Sequence, residues 1–498
     1  MDLFHNLIFG FGVALSLQNL LYCLIGVTVG TLIGVLPGIG PLGTIAILMP
    51  ITYGIAPVGA LIMLAGIYYG AQYGGSTTAI LVNLPGETSA VVTCIDGYQM
   101  ARQGRAGPAL AIAAIGSFFA GTVGTLLIAL FGPPLADVAL KFGSPEYFSL
   151  MLMGLVAAAV LAQGDMVKSL AMVVTGLLLG LVGSDVNTGV QRFSFGFPEL
   201  SDGIGFVVVA VGVFAIGEII TNLGDKEERR VFTATVTSLF PSKEDMKRSI
   251  GPILRGTGIG SFFGVLPGTG PAIASFASYM LEKKLAADPS RFGRGAIEGV
   301  AAPESANNAD AQCKFIPMLT LGLPASGVMA LMLGALQIQG IQPGPEVMTQ
   351  RPELFWGLVA SMWIGNLMLV VLNLPMIGLW VKLLQVPYRL LFPAIMAFSA
   401  IGIYSVNNSS FEIYLTALFG LFGFICMKLG FPPAPLLLGY VLGPMMEENL
   451  RRSMLMSGGD PSVFVTRPIS LAFIVATALI LVVMILPAVR QRRLEIAD

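Results

Sequence analysis

Histidine is nearly absent from this 498-residue sequence: His5 is the single one, so catalysis built on an imidazole base has almost no material. Charge is scarce as well. Asp, Glu, Lys and Arg make up 11% of the chain, against about a quarter in a typical soluble domain. The formal net charge is -1, and no basic patch is interleaved with aromatics, which removes support for nucleic-acid binding. Cys23, Cys94, Cys313 and Cys426 are too scattered for a disulfide framework or a zinc site and read as packing residues. A GxxxxGK[ST] motif is missing, so this chain is not expected to hydrolyse ATP. The N-terminus has no basic region before its first apolar run and no clear small-residue cleavage site, so the first segment is expected to stay in the protein.

What the sequence does have is apolar length. Hydrophobic residues account for 55% of it, and mean hydropathy is +0.82. No Asp, Glu, Lys or Arg occurs from Leu3 to Gly86, and further charge-free runs cover Gly256 to Leu281, Leu354 to Val381 and Pro468 to Val489. Each exceeds the roughly 20 residues that cross a bilayer core. Backbone groups in lipid must be satisfied internally, and long unbroken apolar runs suit helices rather than the short alternation of a barrel. The expected fold is therefore an all-α polytopic membrane protein.

One sustained charged block, Asp225 to Arg255, divides the chain near its middle. Three regions follow: a first transmembrane repeat over 1–224, a charged linker over 225–255, and a second repeat over 256–498 with a C-terminal span and a short basic tail. The linker's Lys and Arg content, and Arg490, Arg492 and Arg493 at the end, place the linker and C-terminus on the cytoplasmic side by the positive-inside rule. Both could instead be solvated helix ends.

Across that divide the sequence repeats itself. Gly34-Val35-Leu36-Pro37-Gly38-Ile39-Gly40-Pro41 returns as Gly264-Val265-Leu266-Pro267-Gly268-Thr269-Gly270-Pro271, an offset of 230. Asn83-Leu84-Pro85-Gly86 is answered by Gly322-Leu323-Pro324-Ala325 at an offset of 239, and Ser144-Pro145-Glu146-Tyr147 by Val386-Pro387-Tyr388 at 242. Duplicated halves are a common construction of secondary transporters, with the substrate site near the midplane where the halves meet. An odd number of crossings per half would invert one against the other. We expect inverted repeats with broken or re-entrant helices and about 11–14 membrane segments.

Leu-Pro-Gly-x-Gly reads as a helix break, because proline removes a backbone hydrogen bond and glycine permits unusual dihedrals. Such a break is tolerated at membrane depth where it lines a cavity, and the N–H groups opening the next helix can hold an anion. Pro37, Gly38 and Gly40 with Pro267, Gly268, Thr269 and Gly270 are the resulting candidates for binding a carboxylate. The alternative is two tight interfacial turns between ordinary spans. Ser76, Thr77 and Thr78 belong to a polar passage after the first break; their hydroxyls either meet substrate or bond back to helix carbonyls. The second half supplies Glu298, Glu304, Ser305, Asn307, Asn308, Asp310 and Lys314, then a turn with Ser326. Asn307, Asn308 and Ser326 are candidate substrate contacts, and Asn83, Asn307 and Asn308 possible Na⁺ contacts. A loop outside the membrane is the other reading of these carboxylates. Because no carboxylate lies between Leu3 and Gly86, cation coupling through neutral oxygens is favoured over a proton relay.

With these residues in hand, the chain resembles the large membrane subunit of the bacterial tripartite tricarboxylate transporters. The passages that carry the resemblance are Gly34 to Gly40, Tyr73-Gly74-Gly75-Ser76-Thr77-Thr78 through Glu87, Leu266 to Gly270, and Glu298 through Ala309. It extends over essentially the whole chain. The resemblance implies uptake of citrate-like or related carboxylates through the bacterial inner membrane, driven by a Na⁺ or H⁺ gradient and needing no other cofactor. It also implies two partners, a small membrane subunit of about four spans and a soluble periplasmic binding protein that delivers substrate. A channel and a polytopic membrane hydrolase or transferase are the alternatives. Asn307 lies 17 residues before Pro324 while Thr77 lies 8 before Pro85, so equal roles for the two polar clusters do not follow.

Overall fold

The computed structural model describes residues 3–36, 40–161, 165–185, 188–223, 240–267, 270–383 and 388–485. Pro37, Gly38, Gly268 and Thr269 lie outside them, as do Val386 and Pro387, linker residues 225–239 and the basic tail.

The chain is a helical bundle. The first half contains α1 (Leu3–Ala14), α2 (Leu17–Val35), α3 (Pro41–Thr52), α4 (Pro57–Val82), α5 (Val91–Arg102), α6 (Ala106–Ala139), α7 (Ser144–Leu161) and α8 (Met166–Gly180). A two-residue antiparallel ladder, Gly183–Ser184 on Gln191–Arg192, precedes α9 (Phe206–Ala210), which passes through a π-helical turn, Val211–Ile216, into α10 (Gly217–Leu223). The second half runs α11 (Lys243–Val265), α12 (Pro271–Leu285), α13 (Glu298–Cys313), α14 (Phe315–Leu321), α15 (Gly327–Ile338), α16 (Glu346–Gln350), α17 (Pro352–Asn373) and α18 (Ile377–Leu383). It ends with α19 (Tyr388–Asn407), α20 (Ser410–Lys428), α21 (Ala434–Met456), α22 (Val463–Thr466) and α23 (Pro468–Ile485). Lys243 to Arg255, the last part of the charged block, thus forms the first turns of α11. Ser242 opens that helix with a capping box to Asp245.

Among the described residues, α2, α6, α17 and α20 are long and apolar enough to cross a bilayer, and seven further apolar helices have 10–17 residues. The long helix α4 is not among the four, because Gln72, Ser76, Thr77 and Thr78 interrupt it. It is nonetheless deep in the bundle: every residue from Gly59 to Leu81 is buried, and so is every residue of α13 from Gly299 to Cys313. Polar helices shielded on all sides by apolar ones are the arrangement that keeps polar groups out of lipid.

Each inner helix packs along a row of glycines. A Cβ on Gly26, Gly30 or Gly34 of α2 would run into the carbonyl oxygens of Met63, Ile67 and Ala71 on α4. On α11 the row is Gly256, Gly260 and Gly264, facing the carbonyl oxygens of Ala302, Ala306 and Asp310 on α13. Small residues every fourth position let helix backbones approach closely in membranes. The rows sit at the offset of 230 carried by the Leu-Pro-Gly motif (256 minus 26), and their partners at the offset of 239 carried by the Leu-Pro turns (302 minus 63). At that second offset the helix ends also agree. Asn83 closes α4 with φ 57° and Gly322 closes α14 with φ 68°, both left-handed and both followed by Leu-Pro.

Candidate functional site

The two left-handed turns each deliver the residue after them to the inner helix of the other half. Beyond Asn83, Gly86 tucks against Gly34 and Gly75, where a Cβ would lie 2.8 Å from the Gly75 Cα, and the chain then presents Glu87. The Asn307 amide of α13 donates to Glu87 Oε1 at 3.5 Å. Beyond Gly322, the chain presents Ser326, the cap of α15, whose side chain interacts with Tyr68 of α4. Tyr68 also lies within electrostatic reach of Glu87 and Asp310. Glu87 and Ser326 are 239 residues apart, and so are Tyr68 and Asn307. The two contacts are therefore counterparts, made with different side chains.

Around this exchange the polar groups are dense. Glu304, fully buried, accepts from the Ser76 hydroxyl on α4 and the Thr93 hydroxyl on α5 through its two oxygens. The Ser89 hydroxyl lies between Gln72 Oε1, 3.1 Å away, and Glu87, and its one proton serves either of them. Asn308 faces another way, its amide donating to Ser117 Oγ of α6 at 2.7 Å and to the Glu304 carbonyl at 3.0 Å. Asp310 pairs with Lys314 one turn later, and neither side chain has any exposure. Several buried polar atoms have no hydrogen-bond partner among the described residues, Gln72 Nε2, Asn307 Oδ1, Asn308 Oδ1 and Asp310 Oδ1 among them. Buried polar atoms are nearly always satisfied, which makes these the candidates for contact with water, an ion or substrate.

The structure sorts the candidate residues. Ser76, Asn307 and Ser326 converge on this cluster. Thr77 bonds back to the Tyr73 carbonyl at 3.4 Å, and the Thr78 hydroxyl lies 3.0 Å from the Gly75 carbonyl and 3.2 Å from the Gly34 carbonyl near the end of α2. Asn83 is an exposed cap, whereas Asn307 and Asn308 are buried and bond in different directions, to Glu87 in the turn after α4 and to Ser117 on α6. Glu298 sits at the rim, paired with Arg291 at 3.3 Å. Glu304 and Asp310 are helical and buried rather than in a loop.

The break residues also differ from each other. Gly40 caps α3, and its N–H donates to Glu218 Oε1 of α10 at 3.2 Å, so a carboxylate of this chain already occupies that helix start. Gly270 caps α12 in the corresponding place, and a Cβ there would meet nothing within 4 Å. Pro267 forms the turn just before it. Tyr68 opens the polar passage that ends at Thr78, whereas sequence reasoning did not identify Glu87, Thr93 or Glu218 as partners, since no motif surrounds Thr93 or Glu218 and Glu87 stands at the edge of the first charge-free run.

Residues 20–438 match the model of the Tripartite tricarboxylate transporter TctA family. The chain belongs to this family. An uncharacterized 52.8 kDa protein from the TAR-I ttuC′ 3′ region of Agrobacterium vitis is 59% identical over 493 residues, 99% of this chain and 98% of its own length. An uncharacterized protein from the TAR-II ttuC′ 3′ region of the same organism is 58% identical over 234 residues, 47% of this chain and 97% of its own length. No solved structure matches the chain. As a TctA-family protein it is a component of a tripartite transporter, a class distinct from enzymes, and a multi-pass membrane protein whose apolar helices agree with that assignment.

Proposed function

We propose that the chain is the large membrane subunit for gradient-driven uptake of small carboxylates, of the tricarboxylate or dicarboxylate class, across the bacterial inner membrane. Alternating access of two inverted repeats moves the substrate, a periplasmic binding protein delivers it, and a small membrane subunit completes the complex. The C-terminus lies in the cytoplasm. The observation that carries this reading is the exchange between halves, in which Glu87 meets Asn307 and Tyr68 meets Ser326 beneath two broken helices. A site built from both halves is one that relative motion of the halves can open to either side. Ser76, Asn307, Ser326 and the open start of α12 at Gly270 surround the place assigned to the substrate.

The electrostatics support coupling to a gradient. Glu87 lies within electrostatic reach of Glu304 and Asp310, and Lys314 is buried beside Asp310. An anionic substrate entering so acidic a neighbourhood requires accompanying positive charge. Uptake of labelled carboxylates into proteoliposomes holding the chain, the small subunit and the binding protein tests this reading. Saturable uptake that rises with an imposed Na⁺ or H⁺ gradient is expected. Uptake indifferent to every gradient defeats the coupling, and flux linear in substrate identifies a channel.

A further inference from the structure

The hydrogen bonds around Glu304 and Glu87 close into a ring. Glu304 of α13 accepts from Ser76 of α4; Gln72, one turn before Ser76, is joined to Glu87 through the Ser89 hydroxyl, whose one proton serves either of them; and Glu87 accepts from Asn307, which returns to α13 three residues after Glu304. Thr93 of α5 adds a second donor on Glu304. Two buried atoms on this ring lack partners, Asn307 Oδ1 and Gln72 Nε2, with their residues 1% and 0% exposed. Unlike Asp310, which has Lys314, the carboxylates of Glu304 and Glu87 form no salt bridge among the described residues. Hydroxyl donors soften the burial of a carboxylate but leave its charge in place, and an uncompensated buried charge is among the most costly features a protein can hold.

We infer that this ring binds one monovalent cation, a proton or Na⁺, at Glu304 and Glu87, with the Asn307 amide oxygen as a neutral ligand. Of the three asparagines favoured from the sequence this site keeps Asn307 alone and adds two carboxylates, and it assigns the coupling ion of the transport reading, on which it rests, to specific side chains. Filled, it neutralises charge next to Tyr68 and Ser326 and permits a carboxylate to enter; empty, it repels one. Glu304 is the better seat for charge because both its oxygens already receive hydroxyl hydrogens from two other helices, so ion occupancy also ties α13 to α4 and α5.

The test uses the purified chain first and the reconstituted complex second. The thermal unfolding midpoint of the wild type is followed while NaCl replaces choline chloride at fixed pH, and separately across pH 5–9 without Na⁺. A rise with Na⁺ identifies sodium as the ion, and a rise on acidification identifies the proton; Glu304→Gln is expected to abolish whichever response is found. Thr93→Val, which removes one donor while keeping the shape, should weaken the apparent cation affinity about tenfold and guards against failure of the first variant to fold. In proteoliposomes, Glu304→Gln should abolish the response of uptake to the imposed cation gradient, while Thr93→Val should shift that response to higher cation concentration, a graded pair that a merely structural role would not produce. A wild type insensitive to both ions, or a Glu304→Gln variant with the wild-type response, overturns the site. A wild type that responds to the cation through Glu304 but carries no carboxylate leaves the site standing and defeats the transport reading instead.

Discussion

Lys314 offers the sharpest quantitative test of how charge is held inside this bundle. Its ammonium is paired with Asp310, four residues earlier on the same stretch of helix, and both side chains have 0% exposure. Among the described residues Asp310 Oδ1 has no hydrogen-bond partner and Lys314 supplies the ion pair to that carboxylate. Lys314→Met keeps length and apolar bulk but strips the counter-ion. Breaking a buried pair from one side costs about 3–5 kcal/mol, which lowers the folding equilibrium constant by roughly two to four orders of magnitude. Asp310→Leu with Lys314→Met removes both charges and the orphan oxygen, and paired apolar replacement is often neutral. The double variant is therefore expected to be more stable than Lys314→Met by at least about 2 kcal/mol. Denaturant titration of the purified proteins in one detergent, followed by tryptophan fluorescence, measures the difference. If the double variant is no more stable than the single one, charge compensation is not what Lys314 provides.

Two further perturbations probe the frame around the site. Gly260→Leu places a side chain against the Ala306 carbonyl and should destabilise by about 3 kcal/mol, the upper end for overpacking, whereas Gly258→Leu, two residues away with nothing within 4 Å, should stay within about 0.5 kcal/mol of wild type in the same titration. Asp96→Ala removes the oxygen that accepts from the N–H groups of Gly293, Gly295 and Ala296 at 2.8–2.9 Å, and the one that accepts from the Tyr279 hydroxyl at 2.9 Å. A loss of about 3 kcal/mol is expected, together with new protease cleavage between residues 289 and 297; unchanged resistance would show that this buried carboxylate does not anchor the loop before α13.

Fold class was legible because it depends on length without charge, and long charge-free runs have few alternatives. The glycine rows were equally legible in principle: Gly26, Gly30 and Gly34 stand 230 residues before Gly256, Gly260 and Gly264, at the spacing of the motif that gave the duplication away. A row of glycines is visible in a sequence only once the spacing of four is sought, because its purpose is to leave room for another helix rather than to add a side chain. The number of membrane segments was harder to see. Proline breaks and polar interruptions divide the apolar runs into helices shorter than a span, and α4 and α13 owe their depth to neighbours rather than to their own hydropathy.

The site was legible only in part, for a reason that bears on how duplicated proteins acquire function. The Leu-Pro breaks and the glycine rows correspond as identities, and the left-handed ends at Asn83 and Gly322 correspond in conformation. The side chains exchanged between the halves do not, for Tyr68 stands where the other half has Asn307, and Glu87 where it has Ser326. Matching by identity therefore pairs Thr77 with nothing and finds the two polar clusters unlike. A strictly symmetric site would carry either two acidic turns or two neutral ones at its centre. The observed pair carries one of each, placing Glu87 beside Asn307 and the neutral Ser326 beside Tyr68. Divergence of this kind leaves one exchange acidic and the other neutral, while the common backbone holds both in corresponding places.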